Sequence, residues 1–285
     1  MEITLLCIGD IVGRPGRTIL ADRLQRLIKE HNIACVIANA ENVAGGSGIT
    51  RASYDKLCKY GVNLFTMGDH IYRKHEVRRI LSEERNIVRP INLSPKAQGR
   101  EWATYSTAEG HTIAVVSVLG RLHMPLPTEN PFLAVNRVLA EIPPEVKIVV
   151  IDVHAEVTSE KVAMGWHLDG RVSVVYGTHT HVATADERVL PKGTAYITDL
   201  GMTGPHESVL GRAYDRVLQN LTTQMPVTFP IATGDVRLNG VLVKVDTQTG
   251  KATSIERLCV CADYPDEPSY DDSDKTEQPF YKARH

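Results

Sequence analysis

Two histidines stand two positions apart in Gly177-Thr178-His179-Thr180-His181, after an apolar run over 171–176 that reads as a buried strand. Imidazoles placed where such a strand opens into a loop can turn ring nitrogens toward one place outside a sheet, a spacing suited to metal. Alone, among 11 histidines, the pair is weak evidence, and a solvated strand end is the plainer explanation. Other apolar runs change the balance. The run 3–8 ends at Gly9-Asp10, 33–38 at Asn39-Ala40-Glu41-Asn42, 63–67 at Gly68-Asp69-His70, and 147–153 at Asp152-Val153-His154. Each group has an ordinary reading: Asp10 or Asp69 as a helix N-cap, Glu41 and Asn42 as a polar turn, His154 as a hydrogen-bonded core histidine. Their recurrence at the carboxyl ends of strands, where α/β sheets collect ligands, favours one shared site.

The chemistry of that site follows from its donors. Three carboxylates (Asp10, Glu41, Asp69), three imidazoles (His154, His179, His181) and the Asn42 amide suit iron(II), manganese or zinc better than calcium. The set exceeds what one tetrahedral ion uses, which implies two divalent ions bridged by a shared carboxylate.

Such donors need a sheet behind them. Leu20, Leu24, Leu27 and Ile28 recur at helical spacing, and 51–60 reads as a second helix, so the first two thirds alternate strand and helix as a parallel sheet does. The alternating runs 104–107 and 112–119 predict one hairpin, and 240–245 with 252–258 another. Helices are expected over 131–141, 159–166 and 212–220, and a short strand over 195–198. Mixed parallel and antiparallel pairing follows, in a single domain over 1–261 without internal repeats. From Ala262 onward, seven acidic residues face three basic ones with almost no apolar periodicity, the composition of a disordered acidic tail.

Composition narrows the class. At 285 residues, 42% apolar and 23% charged, the chain has an ordinary globular make-up. Its formal net charge of −2 gives no electrostatic case for stable nucleic-acid binding. No apolar stretch approaches the roughly 20 residues that cross a bilayer, and the N-terminus enters a strand-like run without a leader pattern, so no membrane and a cytoplasmic address are expected. Five cysteines (Cys7, Cys35, Cys58, Cys259, Cys261) lack zinc-finger spacing and read as reduced, buried small hydrophobes. Neither a Gly-x-Ser-x-Gly elbow nor a Gly-Lys-Ser/Thr phosphate loop is present. Arg14 and Arg17, or Arg73, Lys74 and His75, could steer phosphate, though solvated helix faces explain both groups. The glycine-rich segment 199–211, with His206, reads as a substrate-covering or subunit-contact loop, or equally as a turn-rich connection; a homo-oligomer is compatible with it.

Taken in chain order, these stretches, together with Asp199-Leu200-Gly201-Met202-Thr203-Gly204-Pro205, resemble the bacterial YmdB-type branch of the calcineurin-like metallophosphoesterases, from the first strand to about Leu258. The resemblance implies a four-layer α/β/β/α sandwich of α/β class with mixed sheets and a di-metal centre. It implies that Asp10, Glu41, Asn42 and His181 hold one ion and Glu41, Asp69, His154 and His179 the other, with His70 as general acid. It further implies hydrolysis of small cyclic nucleotides such as 2′,3′-cyclic AMP by a metal-bridging hydroxide. Two departures stand out. Val12 occupies the place of the histidine in the superfamily's usual Asp-x-His, a loss shared by this branch, and Asp69 replaces the family's usual asparagine, adding negative charge to the centre. The competing expectation is a regulatory protein that senses a nucleotide or recruits partners through the same pocket. An amidohydrolase would instead place its His-x-His after the first strand.

Overall fold

The structure, a computed structural model, describes residues 1–263; the acidic tail expected from Ala262 lies, beyond Asp263, outside the described residues. The chain opens with β1 (Glu2–Ile8), β2 (Asp10–Ile11), α1 (Gly13–Glu30), β3 (Ile33–Asn39), α2 (Arg51–Tyr60), β4 (Leu64–Thr66) and α3 (Val77–Glu83). It continues through β5 (Trp102–Ser106), β6 (Thr112–Leu119), α4 (Pro131–Glu141), β7 (Ile148–His154), α5 (Thr158–Leu168) and β8 (Val174–Thr178). The last elements are β9 (Arg188–Val189), β10 (Ala195–Ile197), β11 (Met202–Pro205), α6 (Tyr214–Thr223), β12 (Val236–Asp246) and β13 (Ala252–Cys261).

Two mixed sheets result. One has the order β2-β11-β12-β1-β3-β4, with β13 also paired to β12; the other has the order β5-β6-β7-β8-β10-β9. In the first, β1, β3 and β4 run parallel while β12 is antiparallel to β1 and β13. In the second, β6, β7, β8 and β10 run parallel between antiparallel edges β5 and β9. Both expected hairpins are thus present. Local signals fix several helix ends: Thr50 and Ser53 form a reciprocal cap on α2, which stops at left-handed Gly61, and Asn130 caps α4 ahead of Pro131.

The alternation of side chains along a strand decides which residues meet. Leu5 and Cys7 of β1, Cys35 and Ile37 of β3, and Leu64 of β4 share an apolar cluster with Val150 of β7, Val174 and Tyr176 of β8 and Ile197 of β10, drawn from the other sheet. The alternate residues Leu6, Ile8, Val36, Ala38 and Phe65 cluster with Leu20, Leu24 and Leu27 of α1 and Leu57 of α2. Ile151, Val153 and Val175 cluster with Val135 and Val138 of α4 and Met164 and Leu168 of α5. Both sheets are therefore buried on two sides over their central strands, as their near-continuous apolar runs require.

Three expectations need correction. The strand read over 171–176 is displaced: Gly170 (φ +79) and the Arg171 N–H, which bonds Leu168 O at 2.8 Å, still belong to the turn leaving α5, so β8 starts at Val174 and includes Gly177 and Thr178. Cys7 and Cys35 are buried free thiols, but Cys259 and Cys261 are exposed on β13, where the alternation points both outward. Arg17 is neither solvated nor free to steer phosphate, because it lies buried on α1 with its guanidinium donating to Val43 O at 2.5 Å. Among the described residues, no helix is long and apolar enough to cross a membrane.

Candidate metal centre

The same alternation that builds the inter-sheet core continues to the carboxyl ends of the strands, where apolar residues give way to polar ones. Asn39 follows Cys35 and Ile37 on β3, Thr66 follows Leu64 on β4, Asp152 and His154 follow Val150 on β7, and Thr178 follows Tyr176 on β8. Asp152 accepts hydrogen bonds across the sheets from Asn39 Nδ2 (3.1 Å) and Thr66 Oγ1 (2.5 Å), and within its own sheet from Thr178 Oγ1 (2.6 Å). This polar seam locks the sheets together directly beneath the candidate ligands.

Above it, Glu41, Asp69, His154 and His179 each offer one donor atom, all within 4.8 Å of one another. His154 Nε2 lies 3.2 Å from Glu41 Oε1, 3.1 Å from Asp69 Oδ1 and 3.1 Å from His179 Nδ1. Gly68 makes this packing possible, since a Cβ there would overlap His154 Nε2 and Glu41 Oε2. Asp10, Asn42 and His181 border the cluster. Asp10 is fully buried, and its Oδ2 accepts from the His179 N–H (3.1 Å). His181 Nε2 is 3.9 Å from Asp10 Oδ1 and 3.2 Å from Asn42 Nδ2, which in turn is 3.3 Å from Glu41 Oε1. His70 stands at the solvent side; its N–H donates to Glu41 Oε2 (2.9 Å) and its Nδ1 is 2.7 Å from Asn42 Oδ1. All eight residues singled out in the sequence thus meet at one edge. His206 is held apart from this set by Gly204 O (3.0 Å) and Asn239 Nδ2 (2.9 Å).

The donor set fits divalent metal on three observations. First, the far nitrogen of each imidazole faces an oxygen. Thr178 gives its proton to Asp152, so its oxygen accepts from His154 Nδ1–H (2.8 Å); Glu156 Oε2 stands 3.2 Å from His179 Nε2; Leu210 O accepts from His181 Nδ1–H (3.0 Å). The lone pairs of His154 Nε2, His179 Nδ1 and His181 Nε2 are thereby turned inward, the tautomers a ligand set requires. Second, Asp10 Oδ1 is buried with no hydrogen-bond partner, a costly state unless a cation meets it. Third, His179 (φ +94) and His181 (φ +64) hold left-handed backbone conformations, each costing about 1–3 kcal/mol, a strain that concentrates at functional sites.

Electrostatics point the same way. Burial raises the Asp10 carboxyl above its usual range against the opposing pull of His181 and His154. Burial also opposes ionisation of Glu41 and Asp69, yet His154 for Glu41, and hydrogen bonds from His154 and His179 for Asp69, hold both below the ordinary range. Burial works against a charged His154, and Glu41, Asp69 and Asp10 more than reverse it, raising that imidazole well above the ordinary 6.5. A pocket that draws positive charge this strongly selects a proton or a cation.

Sequence reasoning missed the supporting residues. Asp152 was passed over and Glu156 was not singled out, although Asp152, two positions before His154 on one strand, shares its face. Leu210 acts through its backbone carbonyl, and side-chain type carries no signal for that.

A carboxylate and imidazole cluster at the shared carboxyl edge of two mixed sheets defines a divalent-metal hydrolase. Comparison with known proteins agrees: residues 6–258 match the family described as YmdB-like protein, and the chain belongs to that family. It is 42% identical over 260 residues to the 2′,3′-cyclic-nucleotide 2′-phosphodiesterase of Bacillus subtilis (strain 168), covering 91% of this chain and 98% of the relative. A crystal structure of a hypothetical protein from Thermus thermophilus superposes with a TM-score of 0.85 at 37% identity, covering 91% of this chain and 99% of that one. One described as a novel phosphatase, from Mycoplasma pneumoniae, gives a TM-score of 0.85 at 32% identity, covering 92% and 94%.

Proposed function

We propose that this chain is a dinuclear metal-dependent phosphodiesterase that hydrolyses small cyclic nucleotides of the 2′,3′-cyclic AMP type. The observation that carries the reading is the inward orientation of three imidazoles toward buried carboxylates, with His154 and His181 each fixed by its own acceptor and His179 facing Glu156. The substrate class comes from the Bacillus subtilis relative, aligned over nearly the whole of both chains. Asp10, Glu41, Asn42 and His181 would hold one ion and Glu41, Asp69, His154 and His179 the other, with Glu41 common to both. Iron or manganese suits the mixed oxygen and nitrogen set, and zinc is also compatible. The three apolar clusters support a four-layer α/β/β/α sandwich forming a single metallophosphoesterase domain over 1–261.

Bound there, divalent ions would supply charge stabilisation for phosphate oxygens and would make water a stronger nucleophile near neutral pH. The remaining work falls to side chains. Glu41 positions the His70 main chain by accepting its N–H. Asn42 couples ligand to acid: its Oδ1 accepts from His70 Nδ1–H (2.7 Å) while its Nδ2 faces Glu41 and His181, which fixes the His70 ring beside the cluster. His70, partly exposed there, then delivers a proton from Nε2 to the departing ribose oxygen. Buried Asp152 and Thr178 keep His154 in its ligand tautomer. Turnover of 2′,3′-cyclic AMP with added manganese tests the reading: multiple turnovers are expected, and failure on this and other small phosphodiesters by metal-loaded protein would refute it.

A further inference from the structure

Asp199 opens one of the sequence stretches that the centre itself leaves without a role, and it is paired with a buried lysine. Lys161, fully buried on α5, places Nζ 2.6 Å from Asp199 Oδ2, and both side chains are about 1% exposed. The lysine stem reaches this point over Gly177, where a Cβ would stand 2.7 Å from Lys161 Cδ and overlap Thr198 O. The Asp199 carboxylate has two further partners. Its Oδ1 accepts from the Gly201 N–H (2.7 Å), and its Oδ2 accepts from Thr180 Oγ1–H (2.8 Å). The Asp199 main chain adds a second tie to the same loop, because Thr184 N–H donates to Asp199 O (3.1 Å) and Asp199 N–H donates to Thr184 Oγ1 (2.9 Å).

Thr180 is the residue between the two left-handed histidines. Left-handed conformations of β-substituted residues persist only when surroundings over-determine them, and here the constraint has a definite origin. We infer that buried Lys161 and Asp199, with partly buried Thr180, form a strut that fixes the backbone of His179 and His181, and that these three are positioning residues for the metal ligands. The inference rests on the metal reading of the site for its consequence but not for its geometry. Lysine neutralises the buried carboxylate, the carboxylate holds the Thr180 hydroxyl, and the hydroxyl sets the peptide planes on which both imidazoles are carried. A buried ion pair is a weak source of stability but a strong specifier of one arrangement, which is the use made of it here. This strut also gives Gly177 its reason, since the lysine passes through the space a side chain would fill.

Thr180→Val removes the hydroxyl at nearly constant shape and leaves Lys161 paired with Asp199, whereas Thr180→Ser retains the hydroxyl. Two measurements decide the matter. In metal-free protein, the His179 amide is expected to lose hydrogen-exchange protection in Thr180→Val while the unfolding midpoint stays close to the parent's. In manganese(II) titrations against a competing chelator, Thr180→Val is expected to weaken affinity about ten- to a hundredfold, the usual effect of losing an outer partner of a ligand. Its cobalt(II) absorption spectrum should change, and Thr180→Ser should restore most of both properties. Parental manganese affinity and cobalt spectrum in Thr180→Val would overturn the inference, as would equal weakening in Thr180→Ser. If the parent itself takes up no manganese, the metal reading fails, and the exchange measurement still decides the strut: unchanged His179 protection overturns it and lost protection upholds it.

Discussion

The two sides of the centre are built differently. Glu41, Asp69, His154 and His179 crowd together over the Asp152 seam, where four strand ends from two sheets are tied by short hydrogen bonds. Asp10, Asn42 and His181 are spaced more loosely, with 3.9 Å between His181 and Asp10 and one Asp10 oxygen unpartnered. Their outer support is looser too. His181 is oriented by Leu210 O, which belongs to the excursion over 206–235 between β11 and β12. That excursion carries α6, none of whose residues is buried; it is closed on itself by Ala213 N–H to Pro230 O (3.0 Å) and Ala232 N–H to Gly211 O (3.0 Å), and Arg212 ties it to Gly46 O (2.9 Å). Segments with few buried contacts open locally at low free energy, so the ion beside His181 should exchange more readily than the one over the seam.

The sharpest way to break this contrast is to remove what both sides share. Glu41→Ala is expected to lose both ions and all turnover, which metal analysis and assay of one preparation would check. His70→Ala should keep full metal content and lose activity by about a hundred- to ten-thousandfold, the usual contribution of a general acid; parental turnover would remove His70 from the mechanism. His181→Ala should separate the sides by retaining the ion over the seam and losing its neighbour, read as metal content falling toward half the parental value. Loss of both ions there would show that the sides are not independent.

The raised His154 pKa gives a subtler test. Its ion pairs with Glu41 and Asp69 stabilise metal-free protein fully below the ordinary histidine value of 6.5, and that contribution is lost as pH rises through the raised value. A cation takes the proton's place, so metal affinity should rise with pH until the raised value is passed. The gap between the unfolding midpoints of metal-loaded and metal-free protein should therefore widen as pH rises and level off above that value; a constant gap would contradict the assignment of His154 as ligand. Smallest of all should be Asp69→Asn, which removes charge but retains an oxygen donor, with activity persisting and metal held less firmly. Inactivity at intact metal content would mean the centre is tuned around the acid.

The strand ends were legible in the sequence because period-two alternation and carboxyl-edge placement are local properties. Asp10, Glu41, Asp69, His154 and His181 followed from the ends of apolar runs. What was not legible depends on partners distant in the chain. Asp152 carries the seam through residues 113 and 86 positions away, and Lys161 finds Asp199 only because α5 packs over β8. The short strands β2, β9 and β11 contain too few residues to show a period, and the outward-facing Cys259 and Cys261 occupy an edge that burial does not constrain.

The central claim is that these donors hold a pair of divalent cations, and elemental analysis of protein purified without chelator tests it most directly. Two equivalents of iron, manganese or zinc per chain are expected, vanishing in Glu41→Ala while the fold persists. Metal content near zero in parental protein, even after incubation with each of these ions, would contradict it.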